Sequence, residues 1–265
     1  MAPFRKKPDF KRDRRDRPAP GRRPQRAADA DTAILYGWHT VEAALANPNR
    51  HIRALYVTEN AAKRLTADGI ALTVTPQIVR PDEIARRLGP DAVHNGFLAE
   101  ADPLEAPDIS ELADDGIILV LDQITDPHNV GAIMRSAAAF GVKALVTTAR
   151  HSPEATGVLA KSASGALDHV PMVTVPNLAR GIAALRERGF LAVGLDSEGD
   201  ADLAATPLHA PLALVLGAEG KGLRQLTRDT CDYTARLDLP GAIKSLNVSN
   251  AAALALYIAT TRLAT

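Results

Sequence analysis

One cysteine, Cys231, is all that 265 residues contain, so the chain cannot close a disulfide on itself and is not a cross-linked secreted scaffold. With no partner thiol, Cys231 is expected to be a buried structural residue. No apolar run approaches the roughly 20 residues needed to cross a bilayer, and none has the make-up of a secretory leader. The protein is therefore expected in the cytoplasm. Aromatic residues make up only 4% against 46% hydrophobic, so the core must be mainly aliphatic. The histidines show no His-Glu-x-x-His spacing and no second thiol is available, which disfavours a bound metal. There is no Gly-x-Ser-x-Gly elbow for a nucleophilic serine.

Net charge is also lacking, at +0, but the balance hides an asymmetry. Residues 1–30 hold eleven Lys/Arg against four Asp, and the rest of the chain carries the opposite excess. Such a segment is an electrostatic handle for polyanions, or a solubilising end. Its Arg content suggests a mitochondrial transit peptide, but Asp9, Asp13 and Asp16 argue against one. Almost without aliphatic side chains, it cannot offset its ordering entropy, and a disordered basic tail is expected there.

Four units follow from the patterning: the tail, a small α/β domain over 31–102, a linker over 103–115 with Pro103 and Pro107, and a larger α/β domain over 116–265. In the first domain Thr40 is placed to cap a short helix ending near Asn47-Pro48. Strands are expected at Ile52–Val57, Ile70–Val74 and Gly96–Ala99, with helices at Ala61–Ala67 and Arg80–Leu88. The second domain opens on the unbroken apolar run Gly116–Leu121, suited to a strand buried on both faces. Further runs lie at Lys143–Thr147, Pro171–Val175, Phe190–Leu195 and Leu212–Leu216. Helices are expected at Val130–Phe140, Ala155–Ala163, Leu178–Arg188 (capped by Asn177), Leu223–Thr230 and Ala251–Leu263. Alternation of this kind implies a mostly parallel sheet covered on both faces.

Three segments depart from ordinary strand or helix. Leu121–Arg135 runs from a strand end into a helix, where ligands sit in open α/β sheets. Asn129 is either a helix cap or a functional amide, and Arg135 either a solvated or a functional cation. Six positions apart is about 600° of helix, so the two cooperate only if Asn129 lies in the turn before the helix. Leu212–Leu223 ends in Gly217, Gly220 and Gly222, which bring backbone close to a ligand, yet the spacing fits neither a P-loop nor a dinucleotide fingerprint. Glu219 would repel a polyphosphate there. Leu237–Asn250 places Ser245, Asn247, Ser249 and Asn250 ahead of an aliphatic helix, more polar residues than capping needs.

In order and spacing these segments resemble the three motifs of SPOUT methyltransferases of the TrmH type, over roughly residues 115–263. Tyr36–Leu45 resembles the start of the ribosomal-protein-like, RNA substrate-binding domain of the branch that modifies a guanosine in 23S rRNA. The resemblance implies a deep trefoil knot, a homodimer with cofactor sites at its interface, and S-adenosylmethionine held around Gly217, Leu237 and Leu246. It also implies methylation of a ribose 2'-hydroxyl of structured RNA by Arg135, Asn129, Glu219, Ser245 and Asn247. A guanidinium is a poor proton acceptor, so Arg135 is read as a clamp on phosphate and developing oxyanion as well as an activator of the hydroxyl. Asp238 and Asn250 depart from the family's usual proline and apolar residue. The rival readings are a tRNA 2'-O-methyltransferase, a non-catalytic RNA-binding ribosome-assembly module and a nucleotide-dependent α/β enzyme.

Overall fold

The computed structural model describes residues 32–89, 91–149 and 157–264; the basic tail of residues 1–30 lies outside them. Two sheets organise the chain. The first is formed by β1 (Ala33–Tyr36), β2 (Ile52–Val57), β3 (Gln77–Ile78) and β4 (Phe97–Ala101), in the order β1-β4-β2-β3. Helices α1 (Trp38–Ala46), α2 (Glu59–Ala67) and α3 (Pro81–Leu88) connect these strands. The rings of Trp38 and Phe97 meet 5.1 Å apart, with the Arg64 guanidinium 3.7 Å over the indole, giving this small core one of its few aromatic contacts.

Two expectations fail here. Thr40 does not cap α1: the helix begins after Gly37, whose φ is 87°, and Thr40 lies inside it, donating its hydroxyl to the Ala160 carbonyl at 3.2 Å. Ile70–Val74 forms no strand, because Ile70 and Val74 reach the core from irregular backbone. Only Gln77 and Ile78 pair, alongside Tyr56 and Val57.

The second sheet has seven strands in the order β7-β6-β5-β10-β8-β11-β9, and every pairing is parallel. Its strands are β5 (Ile117–Asp122), β6 (Ala144–Thr148), β7 (Met172–Val175), β8 (Leu191–Leu195), β9 (Ala201–Asp202), β10 (Leu212–Gly217) and β11 (Tyr233–Arg236). The five apolar runs form β5, β6, β7, β8 and β10. The edge pair β9 and β11 was not foreseen, because Ala235 is the one buried residue of β11 and β9 has none.

Helices cover both faces. On one lie α4 (Pro127–Ala139), α5 (Gly157–Ala163) and α8 (Val248–Leu263), packed on Leu119, Leu121 and Leu214. On the other lie α6 (Leu178–Glu187) and Leu223, packed on Ile118, Val120 and Val215, with α7 (Gln225–Thr230) beside α6. Asn177 caps α6 as expected, accepting from the Arg180 backbone N–H. Cys231 is half-buried, and burial pushes its thiol up to about 12, which leaves it protonated and inert at neutral pH. Among the described residues no helix is long and apolar enough to cross a membrane.

The segment between the sheets packs rather than hangs free: Ile109–Glu111 makes a 3-10 turn and Leu112 is buried. A side-chain cluster then joins α1 to the turn after α5. Arg50 Nε meets Asp168 at 2.8 Å with both side chains under 5% exposed, and Asn47 donates to the same carboxylate oxygen at 3.0 Å. The close approach requires glycine at 165, where a Cβ would sit 2.8 Å from Ala43 Cβ and the His39 carbonyl oxygen. Removing one partner from a buried pair strands the other charge, at a cost of about 3–5 kcal/mol. Arg50→Ala is therefore expected to lower the urea midpoint sharply, and the double variant Arg50→Met/Asp168→Leu to lower it less. Equal loss in both would show that packing, not charge pairing, holds the seam.

Candidate active site

The three unusual segments converge at the carboxyl edge of the large sheet. Gly217, at the end of β10, lies in register with Asp122 at the end of β5, so the first two segments leave adjacent strands side by side. After Asp122 the chain turns through Gln123 at φ 60° and enters α4. Asp126 caps that helix, accepting from the His128 N–H at 2.9 Å, with Pro127 at the first helical position. Pro at that position loses nothing, because its missing N–H would have had no helical acceptor. Asn129 is thus inside the first turn and neither caps the helix nor precedes it.

The second segment folds back on itself. The Gly222 N–H donates to the Ala218 carbonyl at 2.9 Å. A Cβ on Gly217 would lie 2.3 Å from the Gly222 carbonyl carbon. Gly222 has φ 63°, and its Cβ would lie 2.7 Å from Asp196 Oδ2. Gly220, at φ 75°, lies in the same left-handed region, so all three glycines are called for by the loop's own path, independently of any ligand. Two buried carboxylates hold the loop. Asp122, with no exposed surface, accepts from the Arg224 N–H at 3.0 Å and from Arg224 Nε at 2.6 Å. Burial alone would raise the Asp196 carboxyl, but hydrogen bonds from Arg228 and from the Glu198 and Leu223 N–H groups hold it below the usual carboxylate range.

The third segment meets the first through a direct bond: Asn247 Nδ2 donates to Asn129 Oδ1 at 3.0 Å. The same Asn247 caps α8, its Oδ1 accepting from the Ser249 N–H at 2.9 Å and the Ser249 hydroxyl at 2.6 Å. Leu237 packs on the core. Residues 240–246 make no backbone–backbone hydrogen bond among the described residues, while Ile243 and Leu246 are 76% and 38% exposed. Exposed apolar side chains beside unpaired peptide groups suit a ligand that is flat and apolar with a polar rim.

Not everything is gathered together. Glu219 and Ser245 are exposed and carry no side-chain bond among the described residues. Arg135 is exposed on α4, about 9 Å along the axis from Asn129 and about 120° around it. Within one chain the two therefore diverge. Reading the motifs alone missed Asp122, Arg224, Asp196 and Arg228; a carboxylate ending an otherwise apolar strand was the available signal.

Residues 116–257 match the SpoU rRNA Methylase family, more than half of the chain. The chain belongs to the SpoU rRNA methylase family. Residues 34–107 of this SpoU protein match a second family, described as RNA 2'-O ribose methyltransferase substrate binding. It is 38% identical over 232 residues to a Ralstonia nicotianae protein named 23S rRNA (guanosine-2'-O-)-methyltransferase RlmB, covering 84% of this chain and 93% of that one. A Pseudomonas aeruginosa protein of the same name is also 38% identical, over 84% and 94% of the two chains. Among solved structures, the SpoU methyltransferase AviRb of Streptomyces viridochromogenes in complex with AdoMet superposes with a TM-score of 0.73 at 27% identity. That likeness covers 88% of this chain and 91% of AviRb. The exposed 240–246 segment and the open carboxyl edge fit S-adenosylmethionine, whose adenine needs apolar neighbours and main-chain partners.

The Asn129–Asn247 bond carries a stability consequence. Asn247→Ala removes a helix cap and the bridge, and is expected to destabilise by about 1–2 kcal/mol. In a denaturant double-mutant cycle with Asn129→Ala, a coupling of about 0.5–1.5 kcal/mol is expected; strict additivity would mean that the bridge contributes nothing.

Proposed function

We propose that this chain transfers a methyl group from S-adenosylmethionine to the ribose 2'-hydroxyl of a guanosine in 23S rRNA, in the cytoplasm, without a metal ion. The observation that carries the reading is the Asn247–Asn129 bond, which ties the third segment to the first beside the glycine loop. Support for the RNA substrate comes from the RlmB relatives, which match along both sheets.

When bound, S-adenosylmethionine supplies an electrophilic methyl group on a sulfonium. The protein's task is then alignment of a ribose oxygen and management of one proton. Peptide groups around Gly217, Leu237 and Leu246 would hold the cofactor, the exposed Leu246 side chain offering it an apolar neighbour. Asn129, fixed by Asn247, orients the ribose together with Ser245 and Glu219. Arg135 gathers a phosphate and stabilises the developing oxyanion through its planar fork; proton acceptance falls to another group or to water.

The working unit in this reading is a homodimer, and the chain after Leu239 is knotted. Two features support the dimer. Arg135 points away from Asn129 of its own chain, so a second copy is needed to complete a site. On α8, Asn250, Leu254, Tyr257 and Thr261 form an exposed stripe at helical spacing, with Leu254 and Tyr257, 37% and 59% exposed, as an apolar centre between two polar ends, suited to a partner helix.

The test uses labelled S-adenosylmethionine and unmodified 23S rRNA transcript. Arg135→Ala is expected to cut turnover by about 10²–10³-fold with cofactor affinity retained, and Arg135→Lys to recover only part, since it keeps charge without the fork. Near-normal turnover in Arg135→Ala would overturn the assignment.

A further inference from the structure

The α6 and α7 face of the carboxyl edge carries a cavity of about 210 Å³ that the methyl-transfer site does not use. It is lined by Thr148 at the end of β6, Asn177 and Leu178 at the start of α6, and Arg224, Leu226 and Thr227 around α7. Its chemistry is that of an anion site. Asp122 takes Nε and the backbone N–H of Arg224, and the two terminal guanidinium nitrogens have no partner among the described residues. The fork is thus held rigid by a buried carboxylate with its donating end open. Opposite stands the N-terminus of the ten-residue helix α6, where Asn177 satisfies the Arg180 N–H and the Leu178 and Ala179 N–H groups have no helical acceptor.

A second, independent feature points to an occupant. Thr148 and Thr227 are 7% and 1% exposed, line the cavity, and their hydroxyls make no hydrogen bond among the described residues. Neither hydroxyl oxygen is sealed off from the cavity, so both are open to solvent or to a ligand that enters it. Two hydroxyls, a guanidinium fork and a helix N-terminus make a set of donors that matches the oxygens of a phosphodiester.

We propose that this cavity binds a backbone phosphate of the substrate RNA, at a nucleotide flanking the methylated one. The inference rests on the functional reading above. Asn129 and Asn247 lie on the α4 and α8 face of the sheet, and the cavity on the opposite face. The glycine loop leaves the sheet edge at Gly217, beside Asp122, and reaches the α6 face at Leu223. An RNA strand drawn over the carboxyl edge would present its ribose on one side and its neighbouring phosphate on the other. Phosphate contacts of this kind set register without reading sequence.

Arg224 is a poor residue to change, because its removal leaves Asp122 buried and unpaired. Leu226, 63% exposed at the rim, is the better probe. Binding of unmodified 23S rRNA transcript is measured across salt concentrations for wild type, Leu226→Glu and Leu226→Lys, with thermal unfolding as the fold control. Leu226→Glu is expected to weaken binding roughly tenfold and to lower the salt slope by about 0.7–0.9, the loss of one phosphate contact, while Leu226→Lys binds at least as tightly as wild type. If wild type methylates the transcript but Leu226→Glu binds it with unchanged affinity and slope, or if both variants weaken it equally, the cavity is no phosphate site. A wild-type protein that leaves the transcript unmethylated overturns the functional reading instead.

Discussion

Asp122 has no exposed surface, and a carboxylate in that position must be met by a cation and amide donors or be expelled. It is met by Arg224, seven residues beyond the last residue of β10, the neighbouring strand. That requirement forces the chain leaving Gly217 to turn back at once, and the turn is possible only with glycine at 217 and 222. The shape of the glycine loop thus follows from satisfying one buried charge. The same bond holds the Arg224 fork open toward the opposite face, so a single carboxylate organises both sides of the sheet edge.

Against this rigid loop, the groups proposed for methyl transfer are held unevenly. Asn129 and Asn247 are fixed by each other and by two helix starts. Arg135, Glu219 and Ser245 are exposed and free of side-chain bonds among the described residues. Such a division fits an enzyme whose site is completed on binding: the amides are preorganised, and the cation and carboxylate acquire partners from RNA or a second subunit. The seam built on Arg50 and Asp168 fixes the first sheet to the turn after α5, and α5 packs directly on α4 through Gly131. His128, next to Asn129, also contacts Ser162 of α5 at 3.1 Å. The region matching a substrate-binding family is in this way mechanically continuous with the site.

Much of the architecture was legible because buried parallel strands are written as apolar runs. Gly116–Leu121 and Leu212–Leu216 had no other reading, and Asn177 was recognisable as a cap from its place before an amphipathic stretch. The two strands beyond β8 were not legible, since Tyr233–Arg236 buries one side chain and Ala201–Asp202 none, so both look like loops. Thr40 was misread because the φ of 87° at Gly37 starts α1 earlier, leaving its hydroxyl for a contact 120 residues away. Asn129 was misplaced because Asp126-Pro127 is the stronger helix start. The site's motifs were visible as clusters of polar residues, but the Asn129–Asn247 pairing depends on a register between β5, β10 and α8 that no local pattern encodes. The bracing role of Asp122 was hidden for the same reason, since its partner lies 102 positions away.

The central claim is that this edge of the sheet places a methyl group on a ribose oxygen rather than on a base. Unmodified 23S rRNA incubated with the protein and S-adenosylmethionine, then subjected to partial alkaline cleavage, decides it, because a 2'-O-methyl group blocks attack on the adjacent phosphodiester. The account predicts one new alkali-resistant position, 3' to a guanosine. A methyl group incorporated without any alkali-resistant position would place the modification on a base and contradict it.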